Sequence, residues 1–150
     1  MDVHMNEYIY KQCNNITNYF IGWGMCIYFV EKVKKEELPD YYDVISHPMW
    51  LRKIKLKLDN KEYKTLQSYI DDMNLIWKNA IKYNGDADAS TVGLMARIAE
   101  YRFNQKVNKI SATPQERYLK KVIKIVNAIN ENSKRFEIEI DHAPTNYIKM

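Results

Sequence analysis

Residues 66–83 constrain this chain most. Leu66, Tyr69, Ile70, Met73, Ile76, Trp77, Ala80 and Tyr83 recur at three- and four-residue steps, the mark of an α-helix with one apolar face. Asp59-Asn60-Lys61 supplies turn-forming residues upstream, and Gly85-Asp86-Ala87-Asp88-Ala89-Ser90 reads as a loop downstream. The same spacing recurs on both sides. Ile9, Cys13, Ile16, Phe20, Trp23, Ile27 and Val30 predict a first helix over residues 6–29. Gly22 and Gly24 weaken it by about 1 kcal/mol each relative to Ala and leave room for a close neighbour. Leu51, Ile54 and Leu58 predict a short helix over 49–58 after Pro48, with Arg52, Lys53, Lys55 and Lys57 facing out. Val92, Met95, Ala99, Phe103, Val107 and Ile110 predict another, N-capped by Ser90 or Thr91 and running to 110.

Thr113-Pro114-Gln115-Glu116 combines an N-cap threonine, a proline at the first helical position and a capping-box glutamate. A fifth helix should run from there to about residue 130, with Leu119, Val122, Ile123, Val126 and Ile129 inward. Beyond it, Phe136, Ile138 and Ile140 alternate with charges, as in a short extended segment or a mobile tail. The chain therefore reads as all-α. Four glycines and four prolines in 150 residues disfavour a turn-rich β-sandwich. One domain of this length buries roughly 68–70% of its unfolded surface, enough for a sizeable core.

The stretch 12–30 carries no charge, but its first half holds Gln12, Asn14, Asn15, Thr17 and Asn18. What remains is too short to cross a bilayer and reads as a buried core helix. Cys13 and Cys26 fall on that helix, about 20 Å apart, so an intrachain disulfide is excluded if the helix is unbroken. Free thiols without a signal peptide suggest a reducing compartment. A formal charge of +4 permits contact with nucleic acid or an acidic partner without arguing for either. His4, His47 and His142 are scattered, and no catalytic or phosphate-cradling motif occurs.

Two segments carry chemistry. The run from Trp77 to Gly85 reads W-K-N-A-I-K-Y-N-G, which puts Asn84 at a helix end after Tyr83. The long connection over 30–47 carries Leu38-Pro39-Asp40-Tyr41-Tyr42-Asp43-Val44-Ile45, then Pro48-Met49. Loops of that length usually have a function, and its aromatic residues should pack. A carboxamide facing an aromatic loop can hydrogen-bond a neutral amide inside an apolar slot. Taken singly, Asn84 is a common helix-terminal residue, the tyrosines are core aromatics, and the basic face of the short helix is solvated surface.

In their order and spacing, these residues resemble a bromodomain over about residues 19–110. The resemblance implies a left-handed four-helix bundle with a long loop after the first helix, here over 6–110. Residues 113–150 would be a C-terminal helical extension and tail packed on the same domain. It implies a reader of acetylated lysine with no enzymatic activity and no cofactor. Asn84 matches the asparagine that bonds the acetyl carbonyl, Tyr41 the loop tyrosine acting through water, and Tyr83 the tyrosine preceding that asparagine. Phe29 matches the last residue of the family's W-P-F shelf, Val33 the loop valine, and Val92 the gatekeeper. Ile27, Tyr28 and Leu38 complete the expected site. The shelf reads Ile27-Tyr28-Phe29 rather than W-P-F, Lys32 replaces a proline, and the loop after Asn84 lacks proline and is about two residues longer than usual.

The implied partners are acetylated histone tails and other chromatin proteins in the nucleus, with this module part of a larger protein. Direct nucleic-acid contact rests on the positive charge alone, and no membrane association is implied. Asp86 and Asp88, beside the pocket mouth, would attract basic residues flanking the acetylated lysine. The rival expectation is a helical interaction scaffold with a degenerate pocket.

Overall fold

A computed structural model describes residues 3–141, with side chains described through Arg135. The elements, in chain order, are α1 (Glu7–Gly22), a 3₁₀ turn (Gly24–Cys26), α2 (Ile27–Val30), α3 (Tyr41–Val44), α4 (Leu51–Asp59), α5 (Leu66–Asn84), α6 (Thr91–Val107) and α7 (Pro114–Asp141). α1, α4, α5 and α6 form the left-handed bundle, and α7 is the additional C-terminal helix. The chain divides into two compact units, one through Ala112 and one from Thr113.

The helix starts follow local chemistry. The side chains of Asn6, Thr65 and Ser90 accept from the backbone N–H of Ile9, Ser68 and Gly93. Each satisfies one donor that the first turn leaves unpaired. In the second unit, Thr113 Oγ1 accepts from Glu116 N at 3.1 Å, as the sequence predicts.

The core is aromatic at its centre. Phe20 packs against Trp77 (5.8 Å between centroids) and Phe103 (6.2 Å), and Tyr69 meets Phe103 at 6.1 Å. All four are fully buried. The Tyr69 hydroxyl lies 3.1 Å from Thr17 Oγ1 and 3.3 Å from Cys13 O, so its burial leaves no orphaned polar atom. Cys13 and Cys26 are free and buried, which pushes both thiols up to about 12. No helix among the described residues is long and apolar enough to cross a membrane.

Expectations for three helices need correction. The first helix is not continuous to residue 29. Trp23 adopts extended dihedrals and splits it. A Cβ on Gly22 or Gly24 would meet nothing within 4 Å, so these glycines accompany a break rather than a close neighbour. After the break Ile27 leaves the inward stripe and is 66% exposed. In α6 the buried face runs through Gly93, Ala96, Ala99, Phe103 and Val107, while Val92 and Met95 are only half-buried. In α7, Leu119, Ile123, Val126 and Ile129 are exposed rather than inward, and Val122 is half-buried. That helix continues past residue 130 to Asp141, so the backbone at 136–140 is helical and not extended. The side chains of Phe136, Ile138 and Ile140 lie outside the described residues.

The small residues of α6 permit a close approach. A Cβ on Gly93 would fall 2.2 Å from the Gly85 carbonyl oxygen and 2.6 Å from that of Asp86. Both are backbone atoms that cannot swing away, so the helix would have to shift. Gly93→Ala should therefore destabilise the bundle by about 1–3 kcal/mol, the usual cost of overpacking. Urea denaturation checks this, and an unchanged midpoint would contradict it.

Candidate functional site

A cavity of about 440 Å³ opens between the long loop over 31–50, α2, the end of α5 and the start of α6. All nine residues expected at the site line it: Ile27, Tyr28, Phe29, Val33, Leu38, Tyr41, Tyr83, Asn84 and Val92. Pro48, Met49, Trp50, Ile76 and Ala80 also contribute. Ile76 and Ala80 sit on the helical stripe that the sequence shows, and Pro48-Met49 is a visible motif. Trp50 had no signal.

Asn84 ends α5 because Gly85, at φ +86°, leaves helical space. The Asn84 side chain is half-buried. Its Nδ2 donates to the Ala80 carbonyl at 2.9 Å, which fixes the rotamer. A primary amide has two N–H donors, so one remains for a ligand carbonyl.

The long loop is fastened to α5 from one flank. Asn79 Nδ2 donates to His47 O at 2.8 Å, Lys82 Nζ donates to Val44 O at 2.8 Å, and the Tyr83 hydroxyl donates to Asp40 Oδ1 at 2.6 Å. That last bond raises the Tyr83 phenol above its ordinary pKa. Tyr41 is buried, which raises its phenol, and Tyr42 adds to the effect. Its ring meets Tyr83 edge-on at 5.1 Å and Tyr42 at 5.3 Å. Tyr42 in turn donates to Val33 O within the loop. Phe29 is held edge-on against buried Trp77 at 5.4 Å. Ile27 and Tyr28, by contrast, are more than 60% exposed at the rim.

The rim charges are engaged. Glu31 accepts from Arg52, Glu37 pairs with Lys34 at 2.9 Å, and Lys32 lies 5.9 Å over the Tyr42 ring. The basic face of α4 is similarly committed, through Lys55–Asp59 and Lys57–Asp72. Asp86 is not a free acidic lure. Two nitrogens of Arg97 hold its carboxylate. These bonds, with the Ala87 N–H, lower its pKa to about 2. Asp88 remains exposed on that loop. Among the described residues no group of three or more His, Cys, Asp or Glu is placed to hold a metal. His142 lies outside the described residues.

A helical bundle that presents a carboxamide in an aromatic-framed slot is built to bind. The bromodomain family model matches residues 13–97, more than half of the sequence. The chain belongs to the bromodomain family, the acetyl-lysine reader modules, which bind rather than catalyse. It is 38% identical, over 68% of its length, to 13% of an ankyrin repeat, bromo and BTB domain-containing protein of Dictyostelium discoideum. It is 36% identical, over 63% of its length, to 19% of the histone acetyltransferase GCN5 of Debaryomyces hansenii. It matches the SWR1 complex bromodomain subunit bdf1 of Schizosaccharomyces pombe at 36% identity, over 54% of this chain and 14% of that one. The chain thus spans less than a fifth of each of these relatives. Among solved structures, the second bromodomain of Candida albicans Bdf1, bound to an imidazopyridine, superposes with a TM-score of 0.63 at 25% identity. That match covers 68% of this chain and 99% of that one.

Two outcomes follow from this geometry. Asn79→Ala removes the bond that buried Asn79 gives the His47 carbonyl and should cost about 0.5–1.5 kcal/mol in thermal or urea denaturation. A variant as stable as the parent would refute the fastening. For Asp86, the folded-state pKa lies below the ordinary carboxylate value of about 3.9. Its contribution is therefore present above that value and lost as pH falls through about 2. Amide exchange at Ala87 should quicken over that window, and the Asp86→Asn variant should not show the transition.

Proposed function

We propose that the cavity binds acetylated lysine in histone tails, with the free N–H of Asn84 Nδ2 donating to the acetyl carbonyl. The carrying observation is the half-buried carboxamide of Asn84 at the wall of a cavity lined largely by aromatic and aliphatic side chains. Acetylation turns a lysine ammonium into a neutral amide. Burying an unpaired ammonium costs several kcal/mol, whereas a methyl and a short methylene stem enter favourably. The carbonyl then needs a donor, because a buried unsatisfied polar group costs about 1–3 kcal/mol.

In this reading Tyr41 holds a bridging water, Val33, Leu38 and Phe29 wall the slot, and Val92 narrows the entrance. Tyr83 braces the loop through Asp40, and Ile27 with Tyr28 forms the shelf along which the peptide backbone lies. Relatives named as a histone acetyltransferase and as an SWR1 complex bromodomain subunit support histone tails in the nucleus as the target, with the module serving a larger assembly. The exposure of Ile27 and Tyr28 favours one alternative, a protein-docking surface indifferent to acetylation.

Isothermal titration with an acetylated and an unmodified histone peptide separates the two. The acetylated peptide should bind and the unmodified one should not. Asn84→Ala should weaken binding roughly 5- to 150-fold, the range set by one lost hydrogen bond to a buried group, with the helical circular-dichroism signal retained. Equal affinity for both peptides would establish the docking surface instead.

A further inference from the structure

Trp50 stands just before the first turn of α4, with an extended backbone (φ −152°, ψ 159°). That position favours a short side chain that accepts from the N–H groups of the turn. Asn6, Thr65 and Ser90 do this for α1, α5 and α6. An indole cannot, and α4 begins without a side-chain cap. The ring does not serve the core either. Met49 packs against the core cluster, whereas Trp50 stays outside it and is half-buried. What Trp50 does meet is the cavity, which it lines together with Tyr28, Phe29 and Glu31. A residue that leaves its helix uncapped, adds nothing to the core and lines a cavity marks a place where local stability yields to binding.

One part of the ring is already taken. Lys53 Nζ lies 5.0 Å from the ring centroid and donates to Pro48 O at 3.4 Å. Lys53 is not among the residues that line the cavity, so the cavity meets the remaining surface of the indole. That ammonium decides what can sit there. A second cation would face the like charge of Lys53, with Lys32 and Lys34 also on the cavity wall. A carboxylate would lose hydration against the electron-rich ring. An aliphatic or aromatic side chain meets neither penalty and buries apolar area on the indole.

We propose that Trp50 is a specificity-determining residue of the cavity, receiving an apolar side chain that flanks the acetylated lysine and disfavouring lysine or arginine at that place. The inference rests on the proposed function and narrows its ligand class to acetylated peptides with an apolar residue beside the modified lysine.

Isothermal titration of the full chain with acetylated peptides tests it. The residues one and two places on either side of the modified lysine are set in turn to leucine, lysine or glutamate. At one of these places leucine should bind roughly 2- to 12-fold tighter than lysine or glutamate, the range of one aromatic contact. Trp50→Ser should erase that preference. The serine supplies the cap that α4 lacks, so the variant should unfold at a midpoint equal to or above the parent's. Lys53→Met, which removes the charge over the ring, should close the gap between leucine and lysine. A preference that survives Trp50→Ser would overturn the inference while acetyl-dependent binding stands. So would a uniform loss of affinity with the ranking intact, tighter binding of lysine or glutamate, or a gap unchanged by Lys53→Met. If no acetylated peptide binds the parent chain, the proposed function fails and this inference with it.

Discussion

The site depends on how the last turns of α5 hold the long loop. That loop has little regular structure beyond α3, and a free segment of its length would pay considerable entropy to stay in one place. Asn79, Lys82 and Tyr83 lie three and four residues apart on one helical flank, and each reaches a different part of the loop. The same helix ends in Asn84. Because one rigid element both pins the loop and carries the carboxamide, the two sides of the cavity keep their spacing. The aromatic contacts among Tyr41, Tyr42 and Tyr83 reinforce this with edge-on packing that favours a defined ring geometry.

Around that frame the electrostatics are quiet. The charged groups at the rim are already paired with one another or lie over an aromatic ring. Exposed ion pairs contribute little to stability, but here they leave the cavity without a strong unpaired charge to welcome an ammonium. In the proposed function, selection between charged and neutral ligands would therefore fall to desolvation and to one amide donor. Arg97 plays a comparable part on the other side, where its hold on Asp86 shapes the loop that follows Asn84.

Periodicity alone made α4 and α5 legible, because each buries one continuous stripe of bulky residues. The N-caps at Ser90 and Thr113 were legible because a hydroxyl there has one favourable partner. The nine expected residues among those lining the cavity came from the order of motifs, since no spacing rule brings Val33 and Val92 together. Other features left weaker marks. The break at Trp23 falls between residues that keep the helical rhythm, so the stripe runs straight through it. The tight face of α6 is built from Gly93 and Ala96, which carry no bulk for a pattern to register. Asn79 and Lys82 bond to main-chain carbonyls far along the chain, a relation that leaves no local trace. Asp86 read as a free charge because its partner, eleven residues on, joins it only across a turn. The apolar residues of α7 were assigned to a core, since sequence rhythm cannot say which surface a stripe will meet.

The contact at Gly93 also governs how this recognition surface can evolve. The first turn of α6 rests on the carbonyls of residues 85 and 86, with no space for even a methyl group between them. Backbone on both sides of the aperture is thus a fixed frame. In the proposed function, adjustment of its width would be left to the half-buried side chain at Val92, one residue before the point of contact. On that reading, ligand preference could drift by single substitutions at that threshold while the architecture behind it stays unchanged.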